Sequence, residues 1–158
     1  MQKITPCLWF DGKAEEAMKF YLSIFKNGKV TNVMHYGEAG PGPKGSVLAV
    51  TFELEGQEFM GLNGGSGYHF TPAISMFVKC KTQAEVDHYW EKLLAGGGKP
   101  VQCGWLTDKY GVSWQIVPAA LGDMLQDKDA VKAQRAMQAM MKMVKLDIAV
   151  LEKAYQGG

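Results

Sequence analysis

The side chains in this chain of 158 residues with the widest chemical scope are few and scattered. Gln115 is the most conspicuous, a single amide inside the mostly apolar run Val112-Ser-Trp-Gln-Ile-Val-Pro118. An amide can both donate to and accept from a carbonyl or hydroxyl, so it can orient a small molecule. Glu53 and Glu58 fall opposite each other across a short turn. Two close carboxylates can raise one pKa and make a general acid or base, although like charges at a solvated hairpin end are the commoner arrangement. Asp108 precedes the turn Asp108-Lys-Tyr-Gly111, where its carboxylate is expected to accept backbone N–H bonds. His69 lies in a glycine-rich crossing from which it can reach a cavity mouth, and His88 falls on the outer side of a helix. His35 and His69 stand 34 residues apart, which matches no compact metal motif. The three cysteines (Cys7, Cys80, Cys103) are odd in number, far apart and in no C-x-x-C pair. Neither a disulfide framework nor a zinc knuckle is expected, and a reducing cytoplasm suits them. Cys103 has no adjacent base or cation to activate its thiol. Gly96-Gly-Gly98 follows a helical pattern instead of opening one, so it is not a phosphate or dinucleotide loop.

These residues need elements to hold them. Ile4–Phe10 reads as an apolar strand, broken by Asp11-Gly12. Ala14–Phe25 has helical spacing, with Ala17, Phe20, Tyr21, Ile24 and Phe25 on one face, and Asn27-Gly28 ends it. Lys29–Tyr36 is a strand, and two prolines with three glycines make residues 39–45 a loop. Ser46–Leu54 alternates cleanly, and Glu55-Gly56 is a two-residue hairpin turn that sets Phe52 opposite Phe59 and Thr51 opposite Met60. After Asn63–Gly67 the pattern starts again. Ala73–Lys79 is a strand, Gln83–Leu94 a helix, Lys99–Leu106 a strand and Val112–Val117 a strand ended by Pro118. Asp127–Tyr155 reads as one long helix carrying Met137, Met140, Met141, Val144, Ile148 and Leu151 on a stripe.

Composition excludes several classes. Apolar residues are 47% and charged residues 21%, ordinary for a globular chain and too apolar for disorder. Lys plus Arg is 17 against 16 Asp plus Glu, a net charge of +1. That balance offers no global attraction for nucleic acid or an anionic membrane. No stretch approaches the roughly 18 apolar residues a membrane span requires, and the first residues lack the apolar core of a signal peptide.

The chain is internally repeated. Ala14-Glu-Glu-Ala-Met-Lys-Phe-Tyr21 overlays Gln83-Ala-Glu-Val-Asp-His-Tyr-Trp90, and Gly56-Gln-Glu-Phe-Met60 overlays Gly111-Val-Ser-Trp-Gln115. The second half is shorter and is expected to lack one strand's worth of chain. A duplicated strand–helix unit followed by strands accounts for this. With Trp9-Phe-Asp-Gly12, Ala14-Glu-Glu-Ala17, Phe20-Tyr21, Gly61-Leu-Asn-Gly-Gly65, Pro72-Ala-Ile-Ser75, Cys103-Gly-Trp-Leu-Thr-Asp108 and Tyr110–Pro118, the chain resembles the vicinal oxygen chelate superfamily of glyoxalase and bleomycin-resistance relatives. Within it the likeness is to the PhnB-like group, often labelled demethylubiquinone methyltransferase-like, and it runs through the methionine-rich tail. The resemblance implies an α+β fold of two βαβββ-type modules, about 1–65 and 72–118, curling into an open cup-shaped mixed sheet. Residues 1–122 would form that domain and 123–158 a C-terminal helical extension. It also implies a homodimer, with the tail helix at or near the contact.

The same resemblance locates four cup-facing positions that hold metal in some relatives. Here they fall on Pro6, Met60, Ile74 or Ser75, and Gln115. One neutral amide oxygen does not strip a divalent cation of its water, so no metal and no other cofactor is expected. What remains is a cavity for a partly apolar small molecule. Strand parity puts Ser113, Gln115 and Val117 with Met60 and Leu62, and Leu8 and Met76 nearby, whereas Trp9 and Trp114 pack under the helices. The expected ligand-binding set is therefore Leu8, Met60, Leu62, His69, Met76, Trp105, Ser113 and Gln115. A metal-free binding protein is the favoured reading, and a glyoxalase-like enzyme, metal-dependent or acid/base, is its alternative. The methyltransferase label is disfavoured, since no strand is followed by an S-adenosylmethionine loop.

Overall fold

The computed structural model describes residues 2–158. Two compact units divide the chain, one running to Phe70 and the other from Thr71 to Gly158.

The first unit contains β1 (Cys7–Phe10), α1 (Ala14–Ile24), β2 (Lys29–His35), β3 (Val47–Leu54) and β4 (Gln57–Asn63). Its sheet has the order β1-β4-β3-β2, with β1 parallel to β4 and the other pairs antiparallel. β1 starts three residues later than the apolar pattern suggests. Pro6 has no N–H for a ladder, and only its carbonyl takes part, accepting from Met60 N at 2.9 Å. The hairpin turn is as read from the sequence: Glu55 and Gly56 both have positive φ, of 48° and 81°, and Phe52 faces Phe59 and Thr51 faces Met60. Both central residues in that region match the right-handed strand twist. α1 covers one face of the sheet with Ala14, Ala17, Met18, Tyr21 and Ile24. Its first N–H comes from Ala14 and is capped from a distance by Asn63 Oδ1 at 2.9 Å.

The second unit repeats the plan with β5 (Ser75–Cys80), α2 (Gln83–Leu94), β6 (Lys99–Pro100), β7 (Trp105–Thr107) and β8 (Ser113–Pro118). The order β5-β8-β7-β6, with β5 parallel to β8, is that of the first unit. Thr82 caps α2 by accepting from Glu85 N. The expected strand over Lys99–Leu106 is instead a tight hairpin, so no strand is missing from this half. Pro100 cannot continue a ladder, and Cys103 and Gly104 reverse the chain at φ of 59° and 83°.

The tail also departs from the single expected helix. It forms α3 (Ala119–Leu125), α4 (Ala130–Met141) and α5 (Ile148–Tyr155). Asp129 and Asp147 act as N-caps, Asp129 accepting from Val131 N and Lys132 N and Asp147 from Val150 N. The break at residues 142–147 is occupied: Cys103 N and Gly104 N donate to Met143 O and Val144 O at 2.8 Å each. Gln83 Nε2 donates to Leu146 O at 3.1 Å, and Gln83 Oε1 accepts from Ile148 N at 2.8 Å. The break resets the helical phase. Met141 and Val144, expected on the inner stripe, are exposed, while Ala136 and Leu146 are fully buried. A core of Leu121, Met124, Ala136, Leu146 and Leu151 results, with Met140 and Met143 packed against it.

Candidate functional site

Register in the second unit sets out its two sheet faces. Met76, Val78 and Cys80 of β5 align with Trp114, Ile116 and Pro118 of β8, and Leu106 of β7 aligns with Trp114. This is the face against α2; Trp114, Ile116, Leu106 and Cys80 are all buried. Burial pushes the Cys80 thiol up to about 12, with the Glu85 carboxylate adding to the shift, so it is chemically inert.

The opposite face carries two transverse rows. Phe77, Gln115 and Trp105 lie side by side on β5, β8 and β7. One step along the strands lie Ser75, Ser113 and Thr107. Gln115 Nε2 donates to Ser75 Oγ at 3.0 Å, a diagonal bond between the two rows. Ser113 is buried, and its Oγ has no hydrogen-bond partner among the described residues. Such an orphan is uncommon and costly. Phe77 is 53% exposed, so the aromatic row has an open end.

Asp108 holds this arrangement in place, as the turn reading expected. Its Oδ1 accepts from Tyr110 N at 2.8 Å and Val112 N at 3.0 Å, and its Oδ2 from Trp114 Nε1 at 2.9 Å. The buried carboxylate thereby ties the β7–β8 turn to the α2 face. Because Trp114 and its neighbours Ser113 and Gln115 point to opposite faces, fixing the indole fixes the two rows.

The expected set is thus only partly brought together. Trp105, Ser113 and Gln115 share one face. Met76 does not, because its register partner is Trp114. In the first unit Met60 and Leu62 share a face as expected, but Leu8 and Trp9 exchange places. Leu8 pairs with Gly61 on the α1 face and is buried, whereas Trp9 pairs with Leu62. A Cβ at Gly61 would press on Val50, Ala14 and Phe10, so the glycine lets α1 approach and Leu8 pack beneath it. Trp9 Nε1 donates to Gly65 O at 2.8 Å, its ring meets Tyr68 edge-on at 4.9 Å, and it leaves Gly64 no room for a side chain. His69 and His35 are exposed. Glu53 and Glu58 do face each other, but Lys29 Nζ stands 3.5 Å from Glu53 and Thr5 Oγ1 donates to Glu58.

Phe77, Ser75 and Thr107 were not in the expected ligand-binding set. Their signal was the alternation of β5 and β7, which needs the register to be read. A separate concavity of about 530 Å³ in the first unit was also not foreseen. Asp11, Tyr36, Pro43, Asn63 and Gly64 line it. Tyr36 OH donates to Asn63 O at 2.8 Å, and Gly40 and Gly42 lie against the Tyr36 ring with no space for a Cβ.

Among the described residues no three His, Cys, Asp or Glu side chains gather in a metal-binding group. The corner formed by Ser75 and Gln115 offers a hydroxyl already bonded to an amide N–H. That donor set does not fit a divalent cation, which prefers carboxylate, imidazole or thiolate ligands. No helix among the described residues is long and apolar enough to cross a membrane.

A family model described as 3-demethylubiquinone-9 3-methyltransferase matches residues 2–117. The solved structure of a Bacillus cereus protein described as putative 3-demethylubiquinone-9 3-methyltransferase, PhnB protein, is 45% identical, with a TM-score of 0.68. It is matched over 75% of this chain and 100% of its own. Protein PA1353 from Pseudomonas aeruginosa, 21% identical with a TM-score of 0.59 over 74% of this chain and 96% of its own, shares the fold. No curated protein matches. The family match ends at residue 117, so the likeness does not run through the tail as expected. The duplicated βαβββ topology and these matches place the chain in the PhnB-like family described as 3-demethylubiquinone-9 3-methyltransferase, with an α+β fold.

Proposed function

We propose that the protein binds a small, partly apolar molecule without a metal, on the open face of the second unit's sheet. The observation that carries this reading is the row Phe77–Gln115–Trp105, an amide flanked in register by two aromatic side chains. The rings offer apolar contact, and the amide sets orientation through its free oxygen and second N–H. The groups beside Gln115 are the Phe77 and Trp105 rings and the Ser75 hydroxyl, and the corner's donors do not suit a cation, so the reading stops at binding. The family description names a methyl transfer, but a fold hosts many chemistries and this site has no feature that favours it. By its family likeness the chain is also read as a homodimer, to be checked by light scattering.

Two measurements test the reading. Elemental analysis of the purified protein is expected to find no stoichiometric Ni, Zn, Fe or Mn; one equivalent of any of them moves the reading to a metal-dependent enzyme. In a thermal-shift screen of small aromatic compounds, Gln115→Ala is expected to lose most of the shift produced by hits. Hits that shift both proteins equally remove Gln115 from the site.

A further inference from the structure

The polar half of this face ends in a charge. Lys99 of β6 is in register with Thr107, so Ser75, Ser113, Thr107 and Lys99 form one row across all four strands. Three hydroxyls thus lead to an ammonium. Exposure falls along the row: Lys99 is exposed, Thr107 half-buried and Ser113 only 2% exposed. Ser113 Oγ has no hydrogen-bond partner among the described residues, an uncommon and costly state for a buried hydroxyl. Ser75 Oγ accepts from Gln115 Nε2, which leaves its own proton to give. Lys99 forms no ion pair among the described residues.

The chemistry of the row narrows what would use it. Its groups have O–H and N–H protons to donate, and no Asp or Glu lies in this row or in the aromatic row beside it. A carboxylate only accepts, and its bonds to such donors are charge-assisted. An ammonium placed there would meet Lys99 as a like charge. A second lysine, Lys79, follows Phe77 on the same face, but beyond the aromatic row and beside Val117. It borders the apolar side of the face, whereas Lys99 continues the hydroxyls. The hydroxyl and aromatic rows are two residues apart along each strand, about 6.6 Å at the usual strand rise. That spacing suits a ring whose carboxylate stands on a short side chain.

We infer that the Ser75–Ser113–Thr107–Lys99 row receives the carboxylate of an aromatic acid whose ring lies on Phe77, Gln115 and Trp105. The inference rests on the binding reading above and adds the ligand's class to it. Ser113 and Thr107 donate to the carboxylate, and Lys99 supplies the counter-charge at its solvent side.

The probes are phenylacetate, phenylacetamide and phenethylamine, similar in shape and differing in head group, titrated into the full-length ¹⁵N-labelled protein. Phenylacetate is expected to shift the Gln115 side-chain amide and the Ser113 backbone signal, and to bind at least tenfold more tightly than phenethylammonium. Lys99→Met is expected to weaken phenylacetate about fivefold, the upper range for an exposed charge pair, and to leave phenylacetamide unchanged. Ser113→Ala is expected to weaken phenylacetate about tenfold, as for a bond to a charged group; Thr107→Val repeats that test if Ser113→Ala does not fold. Lys79→Met is expected to change phenylacetate binding less than twofold. Three results each overturn the inference: phenethylammonium or phenylacetamide binding as tightly as phenylacetate, phenylacetate indifferent to Lys99→Met or to the hydroxyl variant, or Lys79→Met weakening it as much as Lys99→Met. In each case ligand-induced shifts at Gln115 leave the binding reading standing. Failure of all three probes to shift Gln115 or Ser113 overturns both.

Discussion

Asp108 is the residue whose removal should be felt most widely. Three donors converge on its buried carboxylate, two from the backbone and one from the Trp114 indole. Asp108→Ala would leave all three unpaired in a dry environment. The expected loss is about 3 kcal/mol or more, since bonds to a charged group are worth about 1.5–3 kcal/mol each. Urea unfolding followed by tryptophan fluorescence measures it. A loss below about 1 kcal/mol would mean that the turn keeps its shape without the carboxylate. Its role in the turn was legible in the sequence, because Asp before Lys-Tyr-Gly is turn chemistry. Its bond to Trp114 was not, because that depends on which way β8 faces.

At the level of elements, the tail is where local pattern misled. Residues 127–155 contain no proline or glycine to punctuate them, and the apolar spacing runs on almost without interruption. The chain nevertheless breaks at 142–147, where N–H groups of the β6–β7 turn find acceptors in Met143 and Val144. Leu146 seals that joint, fully buried and close enough to Gly104 that a Cβ there would touch it. Leu146→Ala is expected to cost about 2–5 kcal/mol, the range for a buried leucine, read from the urea midpoint. A polar clasp flanks it: Lys145 Nζ lies 2.8 Å from Asp87, which also accepts from Gln83. The Lys145 hydrogen bond, then that of Gln83, hold the Asp87 carboxyl below the usual range. A lowered carboxyl pKa stabilises above the unfolded value of about 3.9 and loses that contribution as pH falls through the lower folded value. The stability gap between wild type and Lys145→Ala should therefore be present at pH 6 and close on acidification below about pH 4. The gap is expected to be small, because both side chains are about two-fifths exposed. A gap that is constant with pH would assign the effect of Lys145 to packing instead of charge.

For the whole molecule, the mismatch between family and chain is informative. The family match stops at residue 117, and the Bacillus cereus relative is matched over its full length by three-quarters of this chain. In this protein the added helices are nonetheless packed onto their unit, with Val117 against the tail core and Gln83 bonded on both sides of Asp147. Deletion of residues 119–158 is expected to lower the melting temperature and expose apolar surface, read by calorimetry and dye binding. An unchanged melting temperature would mean that the tail is an independent appendage.

The amino-acid sequence by itself determined the order of strands and helices up to the β6–β7 hairpin, which it read as one strand, together with the duplication, the β3–β4 hairpin register and the family. Each is written in local periodicity, in turn residues or in motif identity. Only the tertiary structure decided which face the short strands present. β1 has four residues, all of them apolar or nearly so, and alternation carries no information when both faces are apolar. Leu8 and Trp9 were therefore exchanged, and Met76 was placed with Gln115 instead of Trp114. Facing is set by which strand lies alongside and which helix covers it, and the strand partners here are 53 positions apart for β1 and 38 for β5. The same holds for the tail, whose break is stabilised by partners in a turn 40 residues earlier.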